Sequence, residues 1–92
     1  MKHINWNTEK SHALKESRGI SFEDVIFYLE KGDMLDDYRH PDQQKYPGQR
    51  IMVVGINNYA YIVPYIENED EIFLKTIIPS RKATEKYLGG KT

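Results

Sequence analysis

Two apolar runs, Arg50 to Ile56 and Tyr59 to Ile66, flank the dipeptide Asn57-Asn58, and this arrangement limits the fold more than any other feature. Asparagine tolerates the positive φ of a tight hairpin turn, so the two runs are expected to pair as antiparallel strands. Both are apolar on nearly both faces, which places them in the middle of a sheet. Glu67 to Glu71 is E-N-E-D-E, a polar turn into a third run, Ile72 to Ile78. Pro79 is expected to end that run, since it cannot donate to a ladder.

Helices flank this meander. Asn7 or Thr8 can cap a helix reaching about Ser17, with Gly19 just past its end. Its aliphatic residues are only Ala13 and Leu14, so packing must hold it. The next helix is better marked. Ser21 and Asp24 make a capping box, and Ile20 and Val25 form a hydrophobic staple across it. Phe22, Val25, Ile26 and Leu29 line one stripe, and Gly32 supplies the stop. Ser80 caps a short last helix, closed by Gly89-Gly90. Between Asp33 and Gln49 two prolines and a glycine impose an exposed loop, although Met34 to Tyr38 can begin a strand. The expected order is β-α-α-(β)-β-β-β-α: a single α+β domain over residues 1–92, with an antiparallel sheet packed by helices.

Ninety-two residues without cysteine leave no disulfide, thiolate metal site or cysteine nucleophile. The three histidines, His3, His12 and His40, have no ligand spacing, so no metal or cofactor is expected. No apolar stretch approaches the roughly 20 residues that cross a bilayer. The first residues carry no secretory apolar region, and a cytoplasmic location is the expectation. Net charge is −1, yet residues 75–92 hold five Lys/Arg against one acid while residues 67–71 hold four acids and no base. A basic patch on a near-neutral protein is the consequence.

The residues able to carry chemistry follow from that patch. Arg81 and Lys82 open the last helix, where the helix dipole disfavours cations unless an anion is near. Lys75 lies in an apolar run, in phase with Phe73 and Ile77, and so either marks a sheet edge or lines a cleft. His40, between Arg39 and Pro41, is a loop histidine of the kind used in proton transfer. Tyr59, Tyr61 and Tyr65 share a strand face with Val63, as core packing or as a ring offered to a base. Tyr87 can approach the same mouth, and Glu85 is an i,i+4 partner for Arg81. These groups suit RNA phosphodiester cleavage, in which the substrate brings its own 2′-OH nucleophile and the protein adds proton transfer and cations.

Four segments also resemble a known family. I-N-W-N-T-E-K (4–10) is similar to an aromatic-Trp-Asp-x-x-Lys opening, and R-G-I-S-F-E-D-V (18–25) to H-G-[IV]-S-F-E-E-A. Q-R-I-M-V-V-G-I (49–56) resembles E-R-x-x-x-x-G, and K-T-I-I-P-S-R-K-A-T-E-K-Y (75–87) resembles R-I-I-S-A-R-[KR]-A-T-x-x-E-x-x-x-Y. Together they resemble the BrnT family, RelE-like ribonuclease toxins of bacterial type II toxin–antitoxin operons. The resemblance implies a RelE-like fold and a metal-independent endoribonuclease that cleaves mRNA and arrests growth. It implies a cognate antitoxin, commonly a DNA-binding ribbon-helix-helix protein, through which the complex reaches operator DNA. It matches Arg50, Lys75, Arg81 and Lys82 to the family's basic positions. With the residues read above, Arg81, Lys82, Lys75 and His40 are the catalytic candidates, and Arg50, Arg39, Tyr65 and Tyr87 the RNA-binding candidates. Arg18, Gln49, Lys75 and Pro79 depart from the family pattern. Those departures motivate the alternative, a non-catalytic partner-binding module of the same fold.

Overall fold

Asn57 and Asn58 adopt φ values of 54° and 65°, and the hairpin they close is the centre of the molecule. The computed structural model describes residues 2–89. In chain order the elements are β1 (His3–Trp6), α1 (Thr8–Arg18), α2 (Phe22–Glu30), β2 (Met34–Arg39), β3 (Gln49–Ile56), β4 (Tyr59–Glu67), β5 (Glu71–Leu74), β6 (Ile78–Pro79) and α3 (Arg81–Tyr87). Among the described residues the strands form one six-stranded sheet, ordered β1-β5-β4-β3-β2, with β6 on β4 beyond the end of β5. The architecture is α+β, as expected, and β3 and β4 are central. No helix among the described residues is long and apolar enough to cross a membrane.

The sheet is not wholly antiparallel: β1 pairs with β5 in parallel, His3 opposite Glu71 and Trp6 opposite Leu74. Trp6 stacks on Phe22 with ring centroids 6.0 Å apart, which draws the first strand toward α2.

The two helical ends predicted from side-chain caps are present. Asn7 accepts from the Lys10 N–H, and Gly19 closes α1 at φ 77°. Ser21 and Asp24 form the reciprocal capping box of α2. Ser11, which has no mark in the sequence pattern, is fully buried between these helices. Its hydroxyl donates to Glu23 at 2.8 Å and accepts the Phe22 N–H at 3.0 Å. A buried hydroxyl with both partners satisfied ties α1 to the start of α2.

The expected continuous strand from Ile72 to Ile78 is instead two pieces. Lys75 donates its N–H to the Pro64 carbonyl at 2.8 Å, and then the chain leaves the ladder until Ile78. Residues facing one another in such a pair exchange two backbone bonds, and Pro64 has no N–H to return. The break at residues 75–77 is therefore dictated from the neighbouring strand. The Arg18 guanidinium donates to the Ile77 carbonyl and takes up one acceptor that the ladder leaves open. Pro79 is the last residue of β6, opposite Tyr61, and the strand ends there as expected.

Helices cover both sheet faces. Leu14, Ile20, Phe22 and Val25 of the α1–α2 layer pack on Met52, Val54, Ile56, Val63, Tyr65 and Leu74. On the other face Ala83 of α3, with Tyr87 and Leu88 against it, meets Ile51, Val53 and Ala60. Ser80 caps α3 by accepting the Ala83 N–H at 3.0 Å. Thr84 accepts the Ala60 N–H at 2.8 Å, which seats the helix on β4. The helix ends at Leu88, whose N–H reaches Thr84; Gly90 and Lys91 lie outside the described residues.

Candidate nucleic-acid interface

Strand register sorts the candidate residues onto two faces. Tyr38 faces Ile51, Ile51 faces Pro64, and Pro64 bonds to Lys75, a row straight across the sheet. The next row on that face runs His40, Gln49, Ile66, Phe73. Both rows share the face that carries α3. The intervening positions form the row Arg39, Arg50, Tyr65, Leu74, which looks toward α1 and α2. Side chains alternate along a strand, so neighbours in sequence part company here. Arg50 therefore does not converge with Lys75 and Lys82: the sheet lies between them.

Arg50 is also occupied. Its Nε donates to Asp37 at 3.2 Å and to the Tyr65 hydroxyl at 3.1 Å. The Tyr65 hydroxyl in turn donates to Asp37 at 2.7 Å. The Tyr65 bond and the Asp37 charge raise the arginine's proton affinity further. Burial, then the bond to Asp37, push the Tyr65 phenol up to about 12. At 2 % exposure Tyr65 belongs to the core, and its ring is closed to a base.

The α3 face stays partly open because α3 covers only the half around Val53 and Ala60. In the open half a cleft of about 300 Å³ is lined by Lys10, His40, Tyr46, Gln49, Pro64, Lys75, Thr76 and Ile78. Among the described residues two lysines and a histidine line it, and no carboxylate does. Among the described residues neither Lys10 nor Lys75 has an ion-pair partner. The Lys75 ammonium lies 5.7 Å from the centre of the Phe73 ring, an apolar underlay that leaves its charge uncompensated.

The chain from His40 to Gln49 is more ordered than its composition implies. The Gln43 amide donates to the carbonyls of His40 and Gln49, and its oxygen accepts the Gly48 N–H. His40 packs on Tyr46 with centroids 4.4 Å apart. Its Nδ1 accepts the Asp42 N–H at 3.0 Å, so the neutral ring carries its proton on Nε2. The Nε2–H of that tautomer is a hydrogen-bond donor.

Lys82 lies in a second hollow on the same face, about 220 Å³, with Tyr38, Ile62, Ser80, Ala83, Lys86 and Tyr87. Among the described residues Lys82 and Lys86 have no ion-pair partner. The Tyr87 hydroxyl donates to Asp36, and this bond pushes the phenol up to about 12 while holding the Asp36 carboxyl below its usual range. Arg81 is exposed, lines neither hollow and makes no ion pair with Glu85. A third hollow, near Tyr28 and Asn57, has its lysine committed: Lys31 pairs with Asp33 at 3.8 Å.

Lys10, Tyr46, Gln49 and Tyr38 were not among the candidate site residues. Lys10 and Gln49 lay in the segments that carry the resemblance, and Tyr38 stood two residues from His40 at the end of a strand.

No protein-family model, curated protein or solved structure matches this chain.

Proposed function

We propose that this protein is a ribonuclease toxin similar to the BrnT family, acting on single-stranded RNA through the cleft around Lys75. The observation that carries this reading is an uncompensated cationic cleft, with Lys10, His40 and Lys75 on its wall and no acid among its lining residues. A phosphodiester fits that balance. The RNA 2′-oxygen attacks phosphorus and the 5′-oxygen leaves, while the proton passes from nucleophile to leaving group through solvent. Lys75 and Lys10 neutralise charge growing on the phosphoryl oxygens, and the His40 Nε2–H donates to one of them. A cognate antitoxin and a cytoplasmic site of action belong to the same proposal.

The test is expression of the chain alone in bacteria. Growth arrest that Lys75→Ala relieves supports the toxin; harmless expression of a folded protein contradicts it.

A second reading, a partner-binding module without nuclease activity, is favoured by the commitment of Arg50 to Asp37 and Tyr65. An arginine held this way gives a substrate phosphate little. Purified protein that leaves RNA intact while binding a partner supports the module.

A further inference from the structure

The Lys82–Lys86 hollow has no part in the site above, yet it opens on the same sheet face. We infer that it is a second nucleotide subsite, so that one RNA strand lies across the sheet from Lys75 to Lys82 and Lys86, with a base on Tyr38. This rests on the reading of the Lys75 cleft as a phosphodiester site.

Three observations carry it. Tyr38 and Lys75 are the two ends of a single row, with Ile51 and Pro64 between them. Three strand spacings separate these ends, about 14 Å, more than one phosphate group bridges. The hollows also touch: Ile62 lines one, Ile78 lines the other, and the two residues are register partners. Between the clefts the floor is apolar, made by Ile51, Pro64, Ile62 and Ile78, while Asp36 beside the second hollow is held by the Tyr87 hydroxyl.

The second hollow has the make-up of a base-and-phosphate site. Lys82 and Lys86 stand one helical turn apart, unpaired among the described residues. Tyr38 is 36 % exposed, and among the described residues its ring meets no other ring or cation. Tyr87, by contrast, is held by Asp36 and has the Lys86 ammonium 5.2 Å from its ring centre. Of the two tyrosines only Tyr38 has a ring free to stack. Bases stack on an aromatic face whatever their identity, so the subsite adds affinity and length preference without fixing sequence.

The experiment measures binding of 2′-O-methyl oligonucleotides, which cannot be cleaved, at several salt concentrations. A hexanucleotide is expected to bind at least about tenfold tighter than a dinucleotide, the gain from one stacked base and two phosphates. Lys82→Ala with Lys86→Ala lowers the salt slope for the hexanucleotide by about 1.4 and leaves the dinucleotide within about twofold. Tyr38→Ala lowers hexanucleotide affinity roughly tenfold. No gain with length, or a gain that survives the double substitution, overturns the inference while the Lys75 site stands. An abasic strand binding as tightly as the hexanucleotide, or a polyglutamate peptide displacing it at equal concentration, overturns it in favour of a general polyanion or an acidic protein partner. Dinucleotide binding indifferent to Lys75→Ala removes the Lys75 site itself and the inference with it.

Discussion

The Tyr65 hydroxyl donates to Asp37 across 2.7 Å, from the central strand β4 to the edge strand β2, past β3. Arg50, on the strand between, completes the triangle. This half-exposed anchor ties the edge strand to the α1–α2 face and occupies an arginine. On the reverse face Lys75, Lys82 and Lys86 have no such partner among the described residues.

Tyr65→Phe removes the hydroxyl and keeps the ring. Its hydrogen bonds to Asp37 and from Arg50, both charged, are lost, and stability is expected to fall by about 1.5–3 kcal/mol. Urea unfolding checks this. An unchanged midpoint means that the triangle contributes nothing.

Two tyrosines ionise late. Tyr65 and Tyr87 sit at about 12, against 10 for a free phenol. Above pH 10 the unfolded chain releases these protons while the folded chain keeps them, so stability declines as pH rises from 10 to 12. Spectrophotometric titration is expected to show a late tyrosinate step, and Tyr65→Phe and Tyr87→Phe each remove part of it.

Ser11→Ala is expected to be among the more damaging conservative changes. It leaves the buried Phe22 N–H without the partner it had at 3.0 Å, at a cost of about 1–3 kcal/mol. The Ser11 bond also holds the Glu23 carboxyl below its usual range. That contribution is present above the unfolded carboxyl's pKa and is lost as pH falls through the depressed value. Wild type therefore loses more stability on acidification than Ser11→Ala does, which thermal melts at neutral and acid pH compare.

The Asn57-Asn58 turn is strained for any residue with a Cβ. Asn58→Gly is expected to raise stability by a few tenths of a kcal/mol, and Asn58→Val to lower it by about 1–2 kcal/mol. Equal unfolding midpoints for the two variants would contradict the left-handed assignment at φ 65°.

What the sequence made legible was local. Ser21 with Asp24, Asn7 with Gly19 and the asparagine turn each act over a few residues, and each appears where its chemistry required. The stripe of α2 and the central place of β3 and β4 followed from which faces were apolar. The break after Lys75 was hidden because its cause, Pro64, sits on another strand. The same holds for the parallel pairing of β1 with β5, which joins residues almost seventy apart. The candidate site suffered most. Alternation puts Arg39, the last residue of β2, and His40 just after it on opposite faces, but whether Arg50 joins Lys75 depends on register between strands, and register is settled by the whole packed core. Ser80, Ala83 and Thr84, part of the segment that carried the resemblance, prove to seat α3 on β4.

The most direct test compares Lys75→Ala with Arg50→Ala in purified protein acting on single-stranded RNA. The sheet separates these two cations, and only Lys75 faces the open cleft. Lys75→Ala is expected to lower the cleavage rate by about 10²–10³, as loss of a group that stabilises the developing charge does, while Arg50→Ala keeps most of it. Cleavage abolished by Arg50→Ala and untouched by Lys75→Ala would place the chemistry on the other face and contradict the account.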